Sequence, residues 1–214
     1  MKSSNSSCIQ IFSKAAIEGY CKTRLIPEIG NALTLSLHKQ MLNKTVETCS
    51  KISQVDIQLW CTPTTDHPYF RYLYRNYSLQ LHQQQGSNLG EIMNHASHQA
   101  FTDAGYDNVV QIGTDCPYMT SEYIERAIDA LGDEDACVIG PATDGGYVLF
   151  AMNRERPEIL DKIQWGTRYV LQKLEDNLQL YNVKYSCLEA LNDIDTYSDY
   201  EEWMLSQRQI FRHY

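Results

Sequence analysis

The chain has 214 residues, 43% of them hydrophobic and 21% charged, enough to build one globular domain around a full core. A formal net charge of −9 excludes a broad nucleic-acid or anionic-membrane surface, and no run of about 18 apolar residues exists to cross a bilayer. Seven cysteines, odd in number and without a CxxC pair, argue against zinc and a disulfide framework and predict reduced thiols in the cytoplasm.

Residues 1–7 are polar and serine-rich and are expected to form a disordered tail, with a single domain over 8–214. The apolar stretch after them is too short for the core of a secretory signal. A strand is predicted over 8–13 (CIQIFS), then a loop to Leu25. From Ile29 to Cys49, apolar residues recur near a 3.6 period, which predicts a helix. Strands follow at 56–61 (DIQLWC) and 77–82. Leu89, Ile92, Met93, Ala96, Ala100 and Ala104 mark one helix face, with Gly105 as its stop.

The run Val109–Ile112 reads as a buried strand. Ile124, Ala127, Ile128 and Leu131 form the next helix face, behind Thr120 or Ser121 as cap and with Glu122 and Glu125 in the first turn. Strands at 136–139 and 147–152 are split by a loop over 140–146. A helix over 167–177, a strand at 183–187 and a helix from Asp199 end the chain. Repeated βα units with short links predict an α/β fold, a mostly parallel sheet between helical layers.

Four segments stand where a strand ends. In Gly113-Thr114-Asp115-Cys116-Pro117 a carboxylate follows a buried strand, at the sheet edge where open α/β folds bind ligands. Burying it is costly unless something positive meets it, and metal-bound phosphate fits, since hard cations bridge carboxylate and phosphate oxygens. Helix capping is the plain alternative for Asp115, but Thr120 or Ser121 already fills that role. Directly after the first strand, Lys14, Gly19, Lys22 and Arg24 can cradle phosphates, although no GxxxxGK[ST] pattern occurs and a solvated basic surface has the same composition.

In Asp144-Gly145-Gly146-Tyr147 the glycines allow a ligand close to backbone N–H groups, and an ordinary Asp-Gly hairpin turn reads the same way. Asp144 lies 29 residues after Asp115 (144 − 115), the length of one helix plus one strand, which returns it to the same sheet edge. In Asp193-Ile194-Asp195-Thr196 alternate acids point one way along an extended chain and can share a cation, or cap the following helix.

In this order the segments resemble the arsenosugar-biosynthesis-type glycosyltransferases, a bacterial family of the GT-A, nucleotide-diphospho-sugar transferase superfamily. The likeness runs from Ile9 to Glu202. It rests on Phe12, Lys14 and Ala15, on Gly19 with Lys22-Thr23-Arg24-Leu25, and on Leu89-Gly90-Glu91 with Met93. It continues through Ile112 to Pro117, Gly140-Pro141-Ala142 with Asp144-Gly145-Gly146-Tyr147, Trp165, and Asp193 to Thr196.

The resemblance implies a GT-A fold with the nucleotide on Lys14, Lys22, Thr23, Arg24, Gly90 and Thr114. It implies Mg²⁺ or Mn²⁺ on Asp115, with Asp195 or Asp193 as a further acid. The donor sugar or acceptor is expected to meet Asp144, Gly145, Gly146 and Trp165. Three departures stand out. The prolines usual near Ala16 and Glu18 are missing, Ile92 stands where arginine is common, and Gly113 occupies the first acid position of a full DxD.

The reaction so implied moves a sugar from a nucleotide diphosphate to a small-molecule acceptor, with no nucleic acid and no transmembrane segment involved. Lys22 and Arg24 hold the nucleotide, the metal neutralises the leaving diphosphate, and Asp144 is the candidate general base. Guanylyl or cytidylyl transfer from a nucleoside triphosphate suits the same layout, and so does a non-catalytic nucleotide-binding module. The sugar, the base, the acceptor and the oligomeric state are not written in these residues.

Overall fold

A computed structural model describes residues 6–132 and 136–210. Its strands are β1 (Ser7–Lys14), β2 (Val55–Thr62), β3 (Gln80–Gln83), β4 (Asn108–Ile112), β5 (Ala136–Pro141), β6 (Tyr147–Met152) and β7 (Lys184–Cys187). Its helices are α1 (Ile26–Ser50), α2 (Pro68–Asn76), α3 (Leu89–His98), α4 (Ser121–Leu131), α5 (Val170–Leu180) and α6 (Tyr197–Ile210). These form one sheet in the order β3-β2-β1-β4-β6-β5-β7, with β6 antiparallel to β4 and β5 and the other pairings parallel.

The expected three-layer α/β arrangement is therefore present. One apolar core joins the sheet to α1, α2 and α4 through residues such as Leu42, Phe70 and Ile124. A second joins the opposite face to α3 and α5 through Met93, Leu174 and Leu178. Helix α6 closes over the start of α1, where Trp203 and Ile194 pack with Leu25, Leu37 and Met41.

Two features of the sheet position the site. The chain lays down β1, β2 and β3 in one direction, then crosses back to place β4 on the other flank of β1. At such a reversal the βα loops part, leaving a crevice at the C-terminal ends of β1 and β4. Register is held by glutamines. Gln80, Gln58, Gln10 and Gln111 lie side by side across β3, β2, β1 and β4. Gln111 Nε2 donates to Gln10 Oε1 (2.9 Å) and Met93 O (2.8 Å), and Gln10 Nε2 donates to Gln58 Oε1 (2.9 Å) and Ala96 O (2.8 Å). A one-residue slip of β1, β2 or β4 leaves buried amides unpaired.

The structure departs from the sequence reading in several places. Helix α2 was not expected: His67 caps it, accepting from Tyr69 N, Pro68 starts it, and Phe70 and Leu73 supply its buried face. The third strand is shifted to Gln80–Gln83, because 68–76 is helical and Tyr77 ends that helix. α5 and α6 begin three residues later and two earlier than expected. Of the expected tail, residues 1–5 lie outside the described residues, but Ser7 is a buried member of β1 and Ser6 donates through N and Oγ to Asp107 Oδ2.

Candidate active site

The crevice at the reversal point is a cleft of two lobes. The first, of ≈ 520 Å³, is lined by Lys14, Lys22, Thr23, Thr114, Asp115 and His38. The second, of ≈ 300 Å³, has an aromatic and aliphatic wall, including Met93, Tyr147 and Trp165, facing Asp144, Asp193 and Arg168. Phe12, Arg24, Leu89, Gly113 and Asp195 line both, so the lobes are continuous.

Asp115 meets its positive partner within the chain. Lys22 Nζ lies 2.9 Å from Asp115 Oδ1 and donates to Ile194 O at 2.6 Å, with the lysine side chain only 5% exposed. To reach there Lys22 adopts a left-handed conformation, φ 47°. Ile194 N donates in turn to Asp115 O (2.8 Å), so the loop after β1, the end of β4 and the 193–195 segment are tied at one point. Beside this knot Arg24 pairs with Asp195 at 3.0 Å in a more exposed bridge. Asp199 Oδ2 then accepts from the N–H groups of Asp195 and Thr196 and from Thr196 Oγ1, so the acidic segment both faces the cleft and caps α6.

Negative charge is in excess here. Asp193 is pushed up to about 6, first by burial and then by Asp144 and Asp195. Asp195 is also raised, by burial and by Asp115, against the opposing pull of Lys22 and Arg24. Among the described residues no three His, Cys, Asp or Glu side chains converge as a ready-made metal cage. The donor set nonetheless fits a hard cation: its carboxylates repel one another, and Mg²⁺ characteristically takes only one or two protein carboxylates, with phosphate oxygens and water completing its shell.

Loop 142–146 is a hairpin between β5 and β6, closed by Ala142 N donating to Gly146 O (3.0 Å). Asp144 Oδ1 accepts from Gly146 N at 2.8 Å, and the residue is exposed along the second lobe. Gly145, at φ +92°, lies so close to the backbone after Trp165 that an added Cβ would sit 2.2 Å from Arg168 O. The glycine is thus required both by the turn and by this close approach.

Trp165 is half-buried against Tyr147 (centroids 6.3 Å, 68°). Gly90 lines neither lobe. It lies under the indole, where a Cβ would be 3.2 Å from the ring, and lets α3 approach Trp165. Gly19, expected in the phosphate-cradling loop, also lines neither lobe; the other residues expected at the site from the sequence line the cleft or, for Gly145, pack directly behind it.

Several cleft residues were not anticipated. His38 on α1 hydrogen-bonds Lys14 O through Nε2 (2.9 Å), and burial holds its pKa below the usual 6.5. Gln84, after β3, donates to Trp60 O (2.8 Å) and lines the first lobe. Gln111 and Arg168 line the second. Of these only Gln111 left a sequence signal, a polar residue inside an apolar strand.

This sheet order and cleft define an α/β fold shared with nucleotide-diphospho-sugar transferases and cytidylyltransferases. The structure superposes at TM-score 0.81 and 30% identity on a protein from Desulfovibrio desulfuricans G20 whose assignment as a nucleotide-diphospho-sugar transferase is provisional, covering 90% of this chain and 84% of that one. It matches 4-diphosphocytidyl-2C-methyl-D-erythritol synthase from Anaerococcus prevotii at TM-score 0.60 and 14% identity (91% and 93% covered). It matches CMP:2-keto-3-deoxy-manno-octonic acid synthetase at 0.58 and 10% (95% and 99% covered). No curated protein matches the chain. The chain belongs to the family described as uncharacterised proteins conserved in bacteria (DUF2064), which matches residues 45–167. Neither that description nor these structures name arsenosugars.

Proposed function

We propose that the protein transfers a sugar from a nucleotide diphosphate to a small-molecule acceptor. The observation that carries this reading is the pair of joined lobes, one lined with cations and one with aromatic and acidic groups, meeting at Arg24 and Asp195. A diphosphate bridging nucleoside and sugar belongs at such a junction. The 30% identity to the Desulfovibrio protein supports the sugar-transfer form over nucleotidyl transfer.

In this reading Lys14 and Arg24 face the diphosphate, with Thr23 and the Thr114 loop beside it. Lys22 holds Asp115 in place and supplies fixed positive charge, which does not reorganise as negative charge builds on the leaving group. Asp115, with Asp195 or Asp193 as a further acid, would hold Mg²⁺ or Mn²⁺. A cation there supplies Lewis-acid neutralisation of the diphosphate oxygens. Trp165 offers an apolar face to a sugar ring. Asp144 accepts the proton of the acceptor hydroxyl as its oxygen bonds to the anomeric carbon, while the carbon–oxygen bond to the diphosphate breaks and the nucleoside diphosphate leaves with the electron pair. Among the described residues no cysteine forms a disulfide and six of the seven are buried, which suits a reducing compartment, and we place the protein in the cytoplasm. Among the described residues no helix is long and apolar enough to cross a membrane.

The test is product analysis after incubation with UDP-, GDP- and CDP-sugars, or with nucleoside triphosphates, each with Mg²⁺ or Mn²⁺ and mixed hydroxylated acceptors. Sugar transfer releases a nucleoside diphosphate. Pyrophosphate release from a triphosphate would replace it with nucleotidyl transfer, and unaltered nucleotides would leave a binding module.

A further inference from the structure

The second lobe carries a cation that the transfer chemistry above does not use. Arg168 stands on the segment between Trp165 and α5 and lines this lobe. Its guanidinium lies 5.1 Å from the Tyr169 ring centroid and donates to Tyr169 Oη (3.0 Å). That contact holds the group while leaving most of its five N–H donors uncommitted. Three carboxylates line the same lobe, yet none of the described acids pairs with Arg168, whereas Arg24 is taken by Asp195.

Its placement is built in. Gly145 meets the Arg168 carbonyl where no side chain fits, and Leu171 N donates to Gly145 O (3.0 Å), so Arg168 is locked to the hairpin that carries Asp144. The lobe's floor supplies an independent sign of a missing partner. Gln111, 1% exposed, has both amide donations committed to Gln10 and Met93, and its buried Oε1 accepts from nothing in the protein. Buried acceptors are rarely left so.

We infer that the second lobe takes a small hydroxylated oxyanion, with Arg168 gripping its carboxylate or phosphate and a hydroxyl donating to Gln111 Oε1. The arginine fork matches the two oxygens of either group. A lobe of ≈ 300 Å³ suits a compact molecule. This rests on the transfer reading only in naming that molecule the acceptor; the binding site itself does not need it.

Calorimetric titration of the full chain with glycerol 3-phosphate, glycerate and glycerol tests it, with UDP, GDP and CDP titrated separately. Glycerol 3-phosphate or glycerate is expected to bind where glycerol does not, and which of them binds separates phosphate from carboxylate. Arg168→Gln should weaken that binding about tenfold or more while leaving diphosphate affinity within about twofold. Lys14→Gln should do the reverse. Equal binding of the anions to wild type and Arg168→Gln, loss of nucleotide rather than small anion, or no anion bound by wild type would each overturn the inference. Arg168-dependent anion binding without any nucleotide binding would sink the transfer reading and leave this one standing.

Discussion

The Lys22 ammonium and the Asp115 carboxylate, 93 positions apart in the chain (115 − 22), meet at 2.9 Å with the lysine almost fully enclosed. The same ammonium is hydrogen-bonded to Ile194 O, so one side chain ties three loops at the sheet edge. Removing it leaves an acid and a carbonyl without their donor. Lys22→Met is expected to cost about 2 kcal/mol, or roughly 4 to 8 °C in Tm. Arg24→Ala, which breaks an exposed bridge, should cost under about 1 kcal/mol. Thermal unfolding of both variants checks the contrast, and equal losses would contradict it.

Gly145 makes a similar claim on the backbone. An alanine there must push against the Arg168 carbonyl at a φ that side chains seldom adopt. Gly145→Ala should destabilise by about 2 to 4 kcal/mol. Gly113, at the neighbouring strand end, has nothing within 4 Å of an added Cβ. Gly113→Ala should stay within about 0.5 kcal/mol of wild type in urea unfolding.

His38 sets a pH dependence. Burial lowers its pKa from 6.5, against the opposing effect of its bond to Lys14 O; Asp115, Lys22 and Lys14 are the charged groups around it. With the folded value depressed, the unfolded chain binds the proton more readily. Stability from this residue is therefore full above about pH 6.5 and declines as pH falls below it. Urea midpoints between pH 8 and 5 should drop more for wild type than for His38→Asn. Parallel curves would remove His38 from the account.

Trp165→Ala separates the lobes. It should lower affinity for a nucleotide sugar roughly three- to tenfold while sparing the matching nucleoside diphosphate. Competitive titration of the two ligands reads the difference, and equal losses for both would deny Trp165 a place beside the sugar.

Much of this was legible before the structure. An acid at the end of a buried strand demanded a counter-charge, and the end of β1 with the loop after it held three basic candidates. Which one would answer depended on a left-handed turn at Lys22 and on the distant Ile194 carbonyl, neither of which leaves a local signal. The reversal of β6 follows from a loop of five residues, because a parallel crossover needs a dozen or more. An apolar run such as 147–152 reads alike in either direction. Helix α2 was hidden by its composition: tyrosines and arginines fill its exposed face, leaving Phe70 and Leu73 as its buried anchors. Arg168 could not be seen at all, since its position follows from how closely Gly145 packs.

The central claim is that a nucleoside diphosphate sits in the cation-lined lobe, its diphosphate at the junction, with a divalent cation at Asp115. Thermal shifts of wild type and Asp115→Asn with UDP, GDP and CDP, with and without Mn²⁺, test it most directly. At a hundred times its dissociation constant, a bound nucleotide should raise the wild-type Tm by roughly 5 to 11 °C. That rise should require Mn²⁺ and should be lost in the variant. A full shift in Asp115→Asn, or no shift in wild type with any of the three, would contradict the account.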